Sequence, residues 1–278
     1  MVRAGYREAS VERAVEVHIC QDEEQSWDTL WKWLWFTREV WISEYWKETK
    51  KALSPVFSIL PELHVRSILD CSCGLGFKTV MFAKMRYEVE GSDASAIAIK
   101  YAPKLAEEQG LRIRFFQSRY EELSKNCNRR YDCVYSDYFD EIGTRRTLRA
   151  SARGIYSVLK DGGCFIFCGV PPELTKSDLK KLIEQEWRKR NRFEIDPPLE
   201  KDGLRVIHIE VDDKTSEGIL ENHIYLIEEG GLMRVEIASV MNPRIKWTFQ
   251  DYAEALKEAG FREIESIERG ETLIIAVK

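Results

Sequence analysis

The sequence lacks any apolar run near the roughly 18 residues that a bilayer-spanning helix needs, and its opening MVRAGYREAS has no apolar stretch of a secretion signal. The expectation is a cytoplasmic protein with no membrane partner. Positive charge is not in excess either: 42 Lys and Arg face 47 Asp and Glu, for a formal net charge of −5. The broad positive field that phosphate neutralisation requires is missing, so no nucleic-acid partner is expected. The 7 cysteines are odd in number and scattered. Cys71-x-Cys73 is the only close pair, with no second pair and no histidine at ligand spacing, so neither a disulfide framework nor a metal site is expected. No segment repeats with a solenoid period.

The 278 residues include 44% hydrophobic and 32% charged side chains, the composition of a globular protein. That length suits two domains, or one domain with a large insertion. Six of the 8 tryptophans fall between residues 27 and 46. Trp27, Trp31, Leu34, Trp35, Arg38, Trp41, Ile42 and Tyr45 recur at three and four residues, which predicts one face of a helix with Arg38 as its lone charge. Such a stripe serves core packing, or it lines a pocket where aromatic faces attract a cation.

From Ser67 the period changes. Short apolar runs at 67–70, 87–92, 111–116, 131–136 and 163–168 alternate with helical patterning such as 94–109. This alternation predicts parallel βαβ units and a doubly wound α/β sheet. Segments 204–211, 219–228 and 231–241 read instead as an antiparallel meander, and a helix from about Thr248 to Ala259 precedes strands at 261–267 and 272–277. The expected organisation is an N-terminal helical segment (1–60), a core (61–195 and 245–278), and an antiparallel β insertion or lid (196–244).

The chemistry is concentrated in Ser67-Ile68-Leu69-Asp70-Cys71-Ser72-Cys73-Gly74-Leu75-Gly76-Phe77, followed by Asp93 near the end of the next strand. A strand that ends in an acid and runs into Gly-x-Gly lets backbone pass close to a ligand, and an acid closing the second strand can accept hydrogen bonds from ribose hydroxyls. A nicotinamide cofactor is disfavoured: Thr79 stands where the last glycine of that pattern belongs, and Asp70 would repel a pyrophosphate.

Read as a whole, residues 67–100 resemble the first two motifs of class I S-adenosylmethionine-dependent methyltransferases, YDCVYSD at 131–137 resembles that family's fourth strand, and LKDGGCFIFC at 159–168 its fifth. The resemblance implies a Rossmann-like, seven-stranded sheet and S-adenosylmethionine as cofactor, with S-adenosylhomocysteine as product. It implies that Asp70, Cys73, Gly74 and Gly76 line the methionine moiety. Asp93 would hold the ribose, Ala94 would pack on the adenine beside Arg119 and Tyr120, and Asp137 would lie near the transferable methyl. Ser72 replaces a small residue of the pattern without loss of space.

The ends of the chain, with Tyr6, Glu44-Tyr45 and 245–261, loosely resemble glycine and sarcosine N-methyltransferases. Where the glycine enzymes carry an Arg for the substrate carboxylate, this sequence has Val170, so glycine is a poor substrate unless Arg205, Arg234 or Arg244 supplies the charge. Asp137, Tyr138 and Asp140 are the catalytic candidates, since an amine must lose its proton before it attacks a sulfonium methyl. Arg38 is the candidate for the cofactor carboxylate. His208 and His223 fall in the lid strands, within reach of an acceptor, although lone histidines more often serve packing. The expected function is methylation of a small-molecule amine. The alternatives are O- or C-methylation of a phenolic or natural-product acceptor, and a catalytically silent cofactor-binding protein acting through its aromatic N-terminal face. A homo-oligomer could bury part of that face.

Overall fold

The computed structural model describes residues 15–278, so Tyr6 lies outside the described residues. The chain runs β1 (Glu16–Ile19), α1 (Glu23–Ile59), β2 (Ser67–Asp70), α2 (Phe77–Lys84), β3 (Glu88–Asp93), α3 (Ala96–Glu108), β4 (Arg114–Gln117), α4 (Leu123–Asn126), β5 (Tyr131–Ser136), α5 (Arg145–Val158), β6 (Leu159–Cys168) and α6 (Lys176–Lys189). It continues through β7 (Phe193–Ile195), β8 (Leu199–Lys201), β9 (Leu204–Lys214), β10 (Gly218–Glu229), β11 (Leu232–Arg244), α7 (Phe249–Ala259), β12 (Glu263–Glu268) and β13 (Thr272–Val277). Among the described residues no helix is long and apolar enough to cross a membrane.

The core is a seven-stranded sheet in the order β12-β13-β6-β5-β2-β3-β4. Strands β6, β5, β2, β3 and β4 are parallel, and β13 enters antiparallel between β12 and β6. β2 is buried at all four residues because helices cover both faces, which is why such strands read as unbroken apolar runs. The chain order reverses between β2 and β5, and a doubly wound sheet opens a crevice at its carboxyl edge at that point. Two of the helices have explicit start signals. Ser95 caps α3 by accepting the Ala98 amide at 3.0 Å, and Thr248 with Asp251 forms a reciprocal capping box on α7.

The second sheet, here the lid sheet or lid, is built mainly from the region expected as an insertion or lid. β11, β10 and β9 form the expected meander, closed at one end by Gly230 and Gly231, both in the left-handed region. β7 and β8 add at β9, and β1 pairs in parallel with β11, so the N-terminal segment contributes a strand to the lid as well as a helix.

The helix α1 is longer than the tryptophan stripe and joins the two sheets. Asp22 caps it by accepting the Gln25 amide at 2.9 Å, with Glu23 and Glu24 in the first turn, where acids suit the helix dipole. Leu30 and Trp33 pack on the lid, against Ala238 and Val240 and against Val206, Tyr225 and Ile227 respectively. Trp31, Leu34, Trp35, Trp41, Ile42 and Trp46 pack toward Leu75, Phe77 and Leu105 of the core. Leu53, Val56 and Ile59 then enter the core beneath β2 and β6.

Candidate active site

The carboxyl ends of β2, β3 and β5 bring Asp70, Asp93 and Ser136 to one edge. Asp93 accepts the Gly74 amide at 2.9 Å through Oδ2 and the Ser95 amide at 2.9 Å through Oδ1, which ties the glycine loop to the end of β3. Burial lifts the Asp93 carboxyl to about 6 against these two donors. Asp70 is fully buried; it accepts Thr79 Oγ1 at 2.6 Å, its Oδ1 has no partner, and burial raises it to about 6. Gly74 has φ +49°, and a Cβ there would stand 2.8 Å from the Trp31 ring. Gly76, at φ +91°, packs against Ala102 and Phe115.

Two adjoining cavities open above this loop. The larger, about 800 Å³, runs from Asp93, Ala94 and Tyr120 past Tyr138 to the lid. The smaller, about 420 Å³, is lined by Cys73, Gly74, Lys78 and Asp137. Trp31, Leu34, Trp41, Tyr45, Ser72 and Asp137 border both, so the Trp31 indole stands between them over Gly74. The stripe thus serves both purposes read from the sequence: Trp35 stacks on Tyr101 at 4.7 Å as packing, whereas Trp27, Trp31 and Trp41 line the larger cavity, joined by Trp33 from outside the stripe.

Of the residues after β5, Asp137 and Tyr138 reach the cavity wall and Asp140 does not. Asp137 accepts the Ser72 hydroxyl at 3.2 Å and pairs with Lys78. The Tyr138 hydroxyl accepts Trp27 Nε1 at 3.0 Å and lies 3.4 Å from Glu23 Oε1. Asp140 has an unpartnered Oδ1, and burial raises its carboxyl. Its neighbour Glu141 does line the cavity. Burial first, then the Asp140 charge, push Glu141 upward, while the Arg244 backbone amide donates to it. Glu141 was hidden in the sequence because one extra residue of loop decides which of two adjacent acids faces inward.

Arg38 is a correction. Its guanidinium stacks over the Trp35 ring at 3.8 Å and pairs with Glu108 of α3 at 3.3 Å, away from both cavities. The cation that stands in the smaller cavity is Lys78, in the first turn of α2. Burial lowers its ammonium, and the carboxylates around it, Asp70 first, oppose that. No motif singles Lys78 out; its only signal is its place just past the glycine loop. Arg119 lines the cavity but pairs with Glu24. Tyr120 exchanges a hydrogen bond with Ser136 Oγ at 2.9 Å. Arg205 and Arg234 pair with acids of the lid strands. Arg244 does face the cavity, bound to the Glu141 carbonyl and 3.3 Å from Glu23.

Residues 68–163 match the model of a methyltransferase domain family. No curated protein matches the chain in sequence. Among solved structures, the sugar N-methyltransferase KedS8 of Streptoalloteichus sp. superposes with TM-score 0.57 at 17% identity, over 80% of this chain and 84% of that one. Streptomyces venezuelae DesVI gives TM-score 0.56 at 18% identity over 84% and 92%. The amino pentose methyltransferase CalS10 of Micromonospora echinaspora gives TM-score 0.54 at 17% identity over 86% and 96%. The likeness to glycine and sarcosine enzymes stays loose. The glycine loop, the strand order and these matches agree: residues 68–163 match a methyltransferase-domain family, and the chain has the Rossmann-like fold found in class I S-adenosylmethionine-dependent methyltransferases.

Proposed function

We propose that this chain transfers the methyl group of S-adenosylmethionine to the amine of a small molecule. The observation that carries this reading is the lining of the larger cavity: nine carboxylates, two arginines and four tryptophans. Negative charge and aromatic faces both favour cations, and the sulfonium donor and an ammonium acceptor are both cations.

The residues fit the cofactor. Cys73 and Gly74 line the smaller cavity beside the Trp31 ring, and the buried acid at Asp70, which ends β2 just before the loop, suits a ligand without phosphate. Asp93 is placed for ribose hydroxyls, with Ala94 and Tyr120 along the adenine side. Asp137 and Lys78 offer a carboxylate and an ammonium side by side, a match for the amino and carboxylate groups of a methionine end. Bound there, S-adenosylmethionine supplies the electrophilic methyl. The protein's part is to hold the acceptor nitrogen in line, exclude water and take up its proton. Asp137, Tyr138 and Glu23 are the wall groups suited to orient that nitrogen or receive the proton.

With both cavity arginines engaged by glutamates, a free α-carboxylate finds no unpaired guanidinium, which disfavours glycine. Amino sugars are placed first among acceptors because two of the structural neighbours are a sugar N-methyltransferase and an amino pentose methyltransferase. Mass spectrometry of the protein incubated with S-adenosylmethionine and a panel of amino sugars, glycine, sarcosine, biogenic amines and simple phenols tests this. Methylated amines are expected. Methylation confined to phenols would turn the assignment to oxygen, and absence of S-adenosylhomocysteine binding would remove the cofactor.

A further inference from the structure

The lid face that closes the larger cavity carries a group of side chains that methyl transfer does not use. β9 places His208, Glu210 and Asp212 on one face, since alternate residues of a strand share a side. Directly opposite on β10 stand Tyr225, His223 and Glu221. His208, Glu210, His223, Glu221 and Tyr225 all line the cavity. We infer that His208, Glu210 and His223 bind a divalent transition-metal ion of the zinc type on the acceptor wall. This revises the expectation of no metal site.

The geometry comes first. One ligand atom from each of the three residues lies within 4.8 Å of the others. His208 Nε2 is 3.0 Å from His223 Nδ1, and His223 Nδ1 is 3.7 Å from Glu210 Oε2. Two nitrogens sharing a tetrahedral zinc ion at 2.0–2.1 Å stand about 3.3 Å apart, so small side-chain rotations suffice. The second shell is also in place. His208 Nδ1 meets Asp196 Oδ2 at 2.8 Å, the carboxylate–histidine pairing that fixes a ring's tautomer and leaves the other nitrogen free to ligate. The Tyr225 ring stacks on His208 at 4.8 Å and holds its plane.

Orphaned groups and charge point the same way. His223 is 6% exposed, and its Nε2 has no hydrogen bond; Glu221 Oε2 is 3.6 Å away, where a small shift makes it the matching second-shell acceptor. Asp212 is 4% exposed and its Oδ1 is likewise unpartnered. Asp196, Glu210, Asp212 and Glu221 surround the histidines, and the guanidinium among them is that of Arg190, 2.6 Å from Glu221 and 3.3 Å from Asp212. A largely buried cluster with that acid excess is stabilised by a divalent cation. Two imidazoles and one carboxylate suit zinc and its first-row neighbours better than magnesium, which prefers oxygen ligands.

Three protein ligands leave a position open toward the cavity. A nitrogen bound to the metal would have no lone pair left for methyl transfer, so the open position suits an oxygen of the acceptor, a hydroxyl or carboxylate next to its amine. The metal would then be the cationic anchor that the engaged arginines do not offer. This anchoring role rests on the methyl-transfer reading; metal binding itself does not.

The full chain, stripped with a chelator, is titrated calorimetrically with Zn²⁺, and separately with Co²⁺ while its visible ligand-field bands are followed. One ion per chain is expected. Glu210→Gln and His223→Ala should each weaken binding by tenfold or more, Asp196→Asn by about tenfold as an outer-shell change, and Glu228→Gln, a partner of Arg205 on the lid, should leave it unchanged. If His223→Ala fails to fold, Glu210→Gln and Asp196→Asn decide. S-adenosylhomocysteine binding, measured on the same samples, is expected to persist without metal; its loss in the wild type would overturn the cofactor assignment and leave the metal site standing. Binding that is far below one ion per chain, or equal in wild type and variants, overturns the metal site.

Discussion

The indole of Trp27 donates a 3.0 Å hydrogen bond to the hydroxyl of Tyr138, joining the first turns of α1 to the loop after β5. Trp27 also stacks on Trp31 at 5.4 Å, and Trp31 covers Gly74. One chain of aromatic contacts therefore runs from the glycine loop to the Tyr138 wall of the larger cavity. Trp27→Phe keeps the ring and removes the donor. A lost hydrogen bond of about 1 kcal/mol corresponds to a five- to tenfold rise in acceptor KM, with S-adenosylhomocysteine affinity little changed. Steady-state kinetics beside calorimetry check both halves.

Lys78 and Arg38 make opposite predictions about the cofactor's carboxylate. Lys78→Met should weaken S-adenosylhomocysteine by ten- to a hundredfold, the range for losing a charge-assisted hydrogen bond of about 1.5–3 kcal/mol. Arg38→Ala should leave affinity unchanged, because its guanidinium is occupied by Trp35 and Glu108. The reverse order of effects would restore the role first read for Arg38.

Gly74→Ala would force a Cβ to 2.8 Å from Trp31 and hold a non-glycine residue at φ +49°. The left-handed conformation alone costs about 1–2 kcal/mol. A lower melting temperature and at least tenfold weaker cofactor binding are expected. Trp31→Ala in the same background makes room for the Cβ and should recover binding only in part, since the backbone strain remains. Full recovery would mean that the clash alone was responsible.

Much of this was legible in the sequence, and the reason differs by element. The limits of β2, β5 and β13 coincide with the expected strands at 67–70, 131–136 and 272–277 because strands covered on both faces read as apolar runs. The lid meander was legible from alternation. β1 was not: its four residues are all exposed, and only its pairing with β11 makes it a strand. The motif brought Asp93, Ala94, Tyr120, Asp137 and Tyr138 to the larger cavity. Helical spacing placed Arg38 among the tryptophans without telling which neighbour it meets; in the fold that neighbour is Glu108. His208 and His223 were visible in their strands, but their meeting with Glu210 was not, because strand register, and no local spacing, brings the three together.

The buried carboxyl of Asp70 should make stability depend on pH. Its folded value of about 6 lies above the ordinary 3.8, so the native state holds a proton that the unfolded state releases. Stability is therefore greatest below pH 4 for this group and declines as pH rises through 6. Asp70→Asn removes the ionisation and keeps an acceptor for Thr79. Relative to the variant, the wild type should lose up to about 3 kcal/mol between pH 4 and pH 7, the ceiling for a shift of this size. Chemical denaturation at several pH values measures it. A stability difference that stays flat across that range would rule out a burial cost at Asp70.

The parallel pairing of β1 with β11 has a consequence for how the protein is made. Val17 lies opposite Val235, so β1 waits for nearly the last part of the insertion before it has this partner. Contacts so distant along the chain close slowly. Meanwhile α1 leaves the ribosome with its indoles uncovered, since their neighbours in the lid and on the core are still to come. Uncovered apolar surface on a partly made chain favours aggregation, so the stretch that later walls the cavity is the one expected to need shielding during synthesis.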